Sequence, residues 1–217
     1  MPDFSRERDA MVDSQIHTAD VTDRRLLKAL RSLPRQNFMP KSKSALAYAD
    51  TEVEVAAGRW MMRPRDLSML IHAATIEPDE LVLNLASARG YAAAVMSRLA
   101  ETVVCVEADE TLVKKSSDAL ADAGCDNAAV IAGDPKDGAP GQGPFDVIFV
   151  EGAVEEPPRA WFDQLKDGGR LAVVIGKGRI GKATIFTRSG STIGQRVIFD
   201  STPRLVPGFR KDAGFVF

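Results

Sequence analysis

The residues of this chain best suited to chemistry lie in a turn, at the ends of two apolar runs and in a short basic loop. Residues 81–91, LVLNLASARGY, carry an apolar run into a turn that holds Ala86, Ala88 and Gly90, and then into an alanine-rich helix. A strand–turn–helix of this kind is where a backbone comes close to a nucleotide and a helix N-terminus meets it. Glu107 closes the next apolar run, VVCVE, at the spacing where an acid accepts hydrogen bonds from both hydroxyls of a ribose. Asp134, in IAGDPKDG, suits either the far side of such a ligand or a simple Asp-Pro turn. Residues 58–64, GRWMMRP, offer Arg59 and Arg63, forks that match a carboxylate, beside a bulky Trp60 and a Met62 that donates no hydrogen bond.

Other patterns are set aside. GKGRIGK (176–182) fits G-x-G-x-x-G and nearly fits a P-loop, but residue 183 is alanine where a metal-binding hydroxyl is needed. ATIFTR reads as a strand where both motifs need a helix, so a hairpin with a basic tip is expected there. His17, His72, Cys105 and Cys125 lack partners at ligand spacing, so no metal site is expected.

The elements that must position these residues follow from the pattern. Residues 1–50 read as polar helices, with a helix over DVTDRRLLKALRSL capped by Asp20 or Thr22 and stopped by Pro34. Residues 51–63 read as irregular, and Pro64 starts a helix. From residue 81, short apolar runs alternate with helical segments: LVLNLA, TVVCVEA, NAAVIAG, PFDVIFVEG and RLAVVIG. This alternation predicts an α/β fold with a parallel sheet covered on both faces. Beyond residue 176 strands follow one another without helices, so the sheet should end antiparallel. One domain is expected over 1–217, an N-terminal helical and loop extension (1–63) on a Rossmann-like core (64–217).

A formal charge of −2 argues against a nucleic-acid binder. No run approaches the roughly 20 apolar residues that span a bilayer. The charged first residues lack the apolar stretch of a signal peptide, and two cysteines do not make a disulfide framework. A cytoplasmic protein is expected.

The order and spacing of several blocks resemble the protein-L-isoaspartate O-methyltransferase family of class I S-adenosylmethionine methyltransferases. MVDSQI, LPRQNFMP, ALAYAD and GPFDVIFVEGAVEEPPRAWFDQLKDGGRLAVVIG carry the likeness, with Pro34, Arg35, Phe38, Pro40, Tyr48, Asp50, Asp146 and Gly169 on the family's positions. The resemblance implies a seven-stranded, mostly parallel sheet with an antiparallel C-terminal strand. It also implies S-adenosylmethionine as cofactor and an isoaspartyl-containing protein or peptide as partner, whose free α-carboxylate takes the methyl group.

Residue by residue, the cofactor turn resembles V-L-(D/E)-(I/V)-G-(T/C)-(G/A)-(S/T)-G-Y. Asn84 here replaces an acid, Ala86 and Ala88 replace glycines, and Gly90 stays. Ala86 is expected to obstruct the tight turn, whereas Ala88 is a mild change. Arg89 adds a cation able to pair with the cofactor's carboxylate. Glu107 falls on the ribose acid and Asp134 on the family's adenine-side acid. Arg59, Trp60, Met62 and Arg63 fall on a substrate loop close to G-Q-T-I-S-Q-P, with Met62 on its serine. Three readings follow: isoaspartyl methylation with Arg59 or Arg63 holding the carboxylate, methylation of another acceptor, or a non-catalytic binding module with Trp60 and Met62 plugging the pocket. Weak or absent isoaspartyl activity is expected.

Overall fold

The computed structural model describes residues 3–177 and 180–210. Helix α1, Ser5–Met11, runs on through a π-helical turn, Val12–Ile16, and a 3-10 turn, His17–Ala19, and Asp20 ends it in a left-handed conformation. The cap of α2, Arg24–Ser32, is Asp23 rather than Asp20 or Thr22. Its backbone is extended (φ −63°, ψ 112°), and its carboxylate turns back to accept from the Arg25 amide at 2.7 Å. Pro34 and Pro40 each introduce a 3-10 turn, Arg35–Phe38 and Lys41–Leu46.

Arg35 ties this N-terminal block to the rest. Wholly buried, it donates from Nε to the Ala47 carbonyl at 2.8 Å and from Nη2 to the Met62 carbonyl at 2.6 Å. Its guanidinium also lies 4.7 Å from the centre of the Tyr91 ring, at the start of the helix after the cofactor turn.

Residues 51–63 are not irregular. Val53–Ala56 (β1) and Arg59–Met61 (β2) pair as an antiparallel hairpin that turns at Gly58, where φ is 68°. The alternation Val53-Glu54-Val55, valines buried and glutamate half-exposed, is the period-two signal of a strand. Helix α3, Pro64–Ala74, begins at Pro64 as expected.

The alternating core follows: β3 (Leu81–Leu85), α4 (Tyr91–Met96), β4 (Thr102–Glu107), α5 (Glu110–Asp122), β5 (Ala128–Ala132), β6 (Phe145–Val154), α6 (Arg159–Asp163), β7 (Leu165–Lys177), β8 (Ile180–Ser189) and β9 (Thr192–Ser201). The strands form a seven-stranded sheet in the order β5-β4-β3-β6-β7-β8-β9. The first five in that order are parallel, and Leu81–Leu85 lies directly beside Thr102–Val106. The antiparallel end comprises two strands, β8 against β7 and β9 against β8. Lys177 and Ile180 pair across the β7–β8 hairpin, whose tip, 178–179, lies outside the described residues.

Alternate residues of the central strands feed apolar layers on the two faces. Val82, Val103, Cys105 and Phe149 pack with the N-terminal block, α3 and α4. Leu83, Val104, Ile148 and Val150 pack with Trp161 of α6 and with Val206 and Phe209. Among the described residues no helix is long and apolar enough to cross a membrane.

Candidate functional site

The site is built where β3, β4 and β6 end. Beyond Leu85 the chain takes left-handed backbone at alternate residues, with φ of 57° at Ala86, 48° at Ala88 and 85° at Gly90. The Ala86 and Ser87 amides donate to the Val106 carbonyl at 3.0 and 3.4 Å, which pins the turn to β4. The alanines therefore keep a glycine geometry, at about 1–2 kcal/mol of strain each. Ala86 fits the turn instead of breaking it. Glycine at position 86 relieves that strain and loses about 0.4–1 kcal/mol through the unfolded chain. Ala86→Gly should therefore be neutral to slightly stabilising in urea unfolding; a clear loss of stability would mean that the Ala86 methyl packs usefully.

Glu107, at the end of β4, is fully buried. Its carboxylate accepts from the backbone amides of Ala88 at 2.8 Å, Ala108 at 2.9 Å and Asp109 at 3.3 Å. A further donor is Arg59, whose Nη1 lies 2.5 Å from Oε1. Nη2 of the same guanidinium donates to the Ala86 carbonyl at 2.7 Å. Arg59, expected at an acceptor carboxylate, is instead bound inside the chain. The reason is physical: a carboxylate sealed away from water is costly unless paired, and a planar fork can serve the acid and an adjacent carbonyl together.

Sequence reasoning missed Glu151. It lies on β6, is 5% exposed, and has its pKa pushed up to about 8 by burial, with Glu107 adding to the rise and Arg59 opposing it. It is therefore largely neutral at pH 7. Near it, Asn84 reaches the Phe149 carbonyl weakly, at 3.5 Å. Glu151 Oε1, Asn84 Oδ1 and Ser87 Oγ are buried and have no hydrogen-bond partner among the described residues. The signal was a lone acid inside the apolar run VIFVEG.

The 204–207 segment packs against β6 beside Glu151. Gly152 has φ of 127°, and a Cβ there would stand 2.8 Å from Val206 and 3.1 Å from the Arg204 carbonyl. This close approach lets Ala153 pair with the 204–206 segment in both directions, at 3.0 and 2.9 Å. A small crevice between Arg59, Trp60, Glu151 and the 204–207 segment has a volume of about 10 Å³, at the lower limit for one water molecule.

The remaining candidates are dispersed. Trp60 is half-buried under Arg204, whose guanidinium stacks 5.0 Å from the ring centre. Met62 does not face an acceptor: it is buried in the core, and its carbonyl holds Arg35. Arg63 lies 3.7 Å from Asp66 and lines a separate crevice with Glu52. Asp134 is exposed and accepts from the Lys136 amide at 2.9 Å, a turn contact. Arg89 points away from the cleft, into a groove against α5.

A parallel β5-β4-β3-β6-β7 core with a left-handed turn after its central strand and an acid at the end of the neighbouring strand defines a class I S-adenosylmethionine-dependent methyltransferase fold. The sequence pattern described as Protein-L-isoaspartate(D-aspartate) O-methyltransferase (PCMT) matches residues 6–201, and the chain belongs to that family. A protein-L-isoaspartate O-methyltransferase of Opitutus terrae is 33% identical over 172 residues, 79% of this chain and 74% of that one. A solved protein-L-isoaspartate O-methyltransferase aligns with a TM-score of 0.79 at 25% identity, over 94% of this chain and 66% of that one. A beta-aspartate methyltransferase structure from Plasmodium falciparum, in complex with S-adenosyl-L-homocysteine, shares the fold at a TM-score of 0.76 and 18% identity, over 91% and 97% of the two chains.

Proposed function

We propose that this chain is a family member whose cofactor cleft is closed by its own Arg59. In this reading it binds S-adenosylmethionine weakly, methylates isoaspartyl residues little or not at all, and serves in the cytoplasm as a binding module on a methyltransferase fold. The observation that carries this reading is the Arg59 fork on Glu107 and the Ala86 carbonyl. Glu107 has its donors supplied from within the chain, and a ribose diol must displace Arg59 to reach it. As arranged, these residues do not fit S-adenosylmethionine.

A second reading is favoured by the acids that stay in the cleft, Glu107 and Glu151. Here the β1–β2 hairpin withdraws Arg59, and the family's methyl transfer to an isoaspartyl α-carboxylate proceeds. Such a transfer needs mainly an oriented, desolvated carboxylate, since the nucleophile and the leaving group are already competent.

Calorimetry with S-adenosylmethionine and S-adenosylhomocysteine, followed by methylation of an isoaspartyl peptide, decides between them. The first reading expects weak or no binding and no methyl ester. Tight binding with brisk ester formation by the unmodified chain would overturn it.

A further inference from the structure

Outside the cleft, a groove of about 660 Å³ runs between the 34–44 segment and the outer face of α5. One wall is apolar, from Pro34, Met39 and Pro40, and the facing wall is the Ala119 and Ala123 side of α5. Arg89 reaches into it from the cofactor turn. That guanidinium is half-buried, and among the described residues it makes no hydrogen bond or ion pair. Burial holds its pKa below the usual arginine value with no anion offsetting the cost. Every other arginine in the cleft region is paired or stacked: Arg35, Arg59, Arg63 and Arg204.

We propose that this groove is a binding site for a small amphipathic anion, with an apolar ring or short alkyl body between the proline-rich wall and α5 and a single carboxylate or sulfonate on Arg89. The volume lies in the range of small-molecule sites, roughly 300–1,000 Å³. The charges around it select for one negative charge. Lys41 and Lys115 are exposed at the groove and favour an anion, while Asp118 and Asp122 on α5 oppose a multiply charged one. Asp118 is partly engaged by Lys114, at 3.6 Å. An unpaired guanidinium at a partly dry, apolar site gains a charge-assisted, bidentate contact from such a ligand, and a neutral ligand offers it nothing. The site stands whichever way the cleft behaves.

The test uses the full chain with two probes, 1-anilinonaphthalene-8-sulfonate followed by fluorescence and decanoate followed by calorimetry, with decanol as the uncharged control. Both anions should bind saturably at one shared site and compete. Arg89→Ala should weaken both by about tenfold or more, Arg89→Lys should recover part of the loss, and decanol binding should not respond to position 89. Ala119→Trp, which fills the groove from α5, should abolish binding of both probes while the far-UV circular dichroism stays native. Arg159→Ala, which removes an exposed arginine of α6 outside the groove lining, should leave probe affinity unchanged. Equal binding by the native chain and Arg89→Ala, persistence in Ala119→Trp, or a loss in Arg159→Ala equal to that in Arg89→Ala would each overturn the assignment.

Discussion

Replacing Arg59 with alanine raises the affinity for S-adenosylhomocysteine at least tenfold and lowers the stability of the ligand-free chain. Both effects have one cause. Arg59 makes two charge-assisted hydrogen bonds, to Glu107 and to the Ala86 carbonyl, and contacts of that class contribute roughly 1.5–3 kcal/mol each. A ligand that needs Glu107 must first break them, so part of its binding free energy is lost to displacement. In Arg59→Ala that cost disappears, and Glu107 keeps only the amides of Ala88, Ala108 and Asp109. A buried acid left without its cation then favours any diol that can donate to it. The ligand should accordingly raise the thermal midpoint of the variant much more than that of the native chain. Glu107→Gln in the same background should cancel the gain, because the diol loses its charged acceptor. If Arg59→Ala and the native chain bind alike, Arg59 is not what closes the cleft.

Methyl transfer does not follow from Arg59→Ala alone. Met62, on the position of the family's serine, is buried, and its carbonyl anchors Arg35. A Met62→Ser change would leave a cavity in the core, at a cost of about 2–5 kcal/mol for a truncation of this kind, without presenting a hydroxyl floor to an acceptor. The loop has become part of the fold, and small substitutions do not undo that.

The parallel core is legible because hydrophobic periodicity carries it. The runs from LVLNLA to RLAVVIG form adjacent strands in the expected sense, since each is apolar on both faces and bounded by turn residues. The hairpin at 53–61 is hidden by its shortness: a four-residue strand offers only two periods of alternation. The candidate residues are legible as types and not as contacts. Glu107 stands at the predicted strand end, but nothing in the local pattern indicates that Arg59, far away in sequence, satisfies it. Ala86 reads as an obstruction because alanine disfavours φ > 0. The two amide bonds to Val106 and the buried surroundings of the turn hold it there regardless. Glu151 escapes notice because one acid in a strand reads as a solvated end. Its importance comes from burial on β6 beside Asn84 and within reach of the Glu107 charge, a tertiary fact.

Glu151 also sets a pH dependence. An unfolded glutamate titrates near 4.5, and burial in the native chain pushes this one up to about 8. Between those values the folded protein keeps a proton that the unfolded chain has released, so stability falls as pH rises through the window and levels off above it. Each tenfold difference in proton affinity between the folded and unfolded chain corresponds to about 1.4 kcal/mol, which puts the loss at about 3–5 kcal/mol across the window. Glu151→Gln removes the titrating group and keeps a donor able to reach the orphaned Asn84 Oδ1. As pH rises from 5 to 8, the native chain should lose stability relative to Glu151→Gln in urea unfolding, with little of that loss present at pH 5. Comparing the two chains cancels every titration that they share, which isolates this carboxyl. Parallel stability profiles would show that Glu151 is ionised in the folded chain at neutral pH. The Arg59 charge would then offset that of Glu151 across the cleft as well as that of Glu107, the one carboxylate with which it is paired.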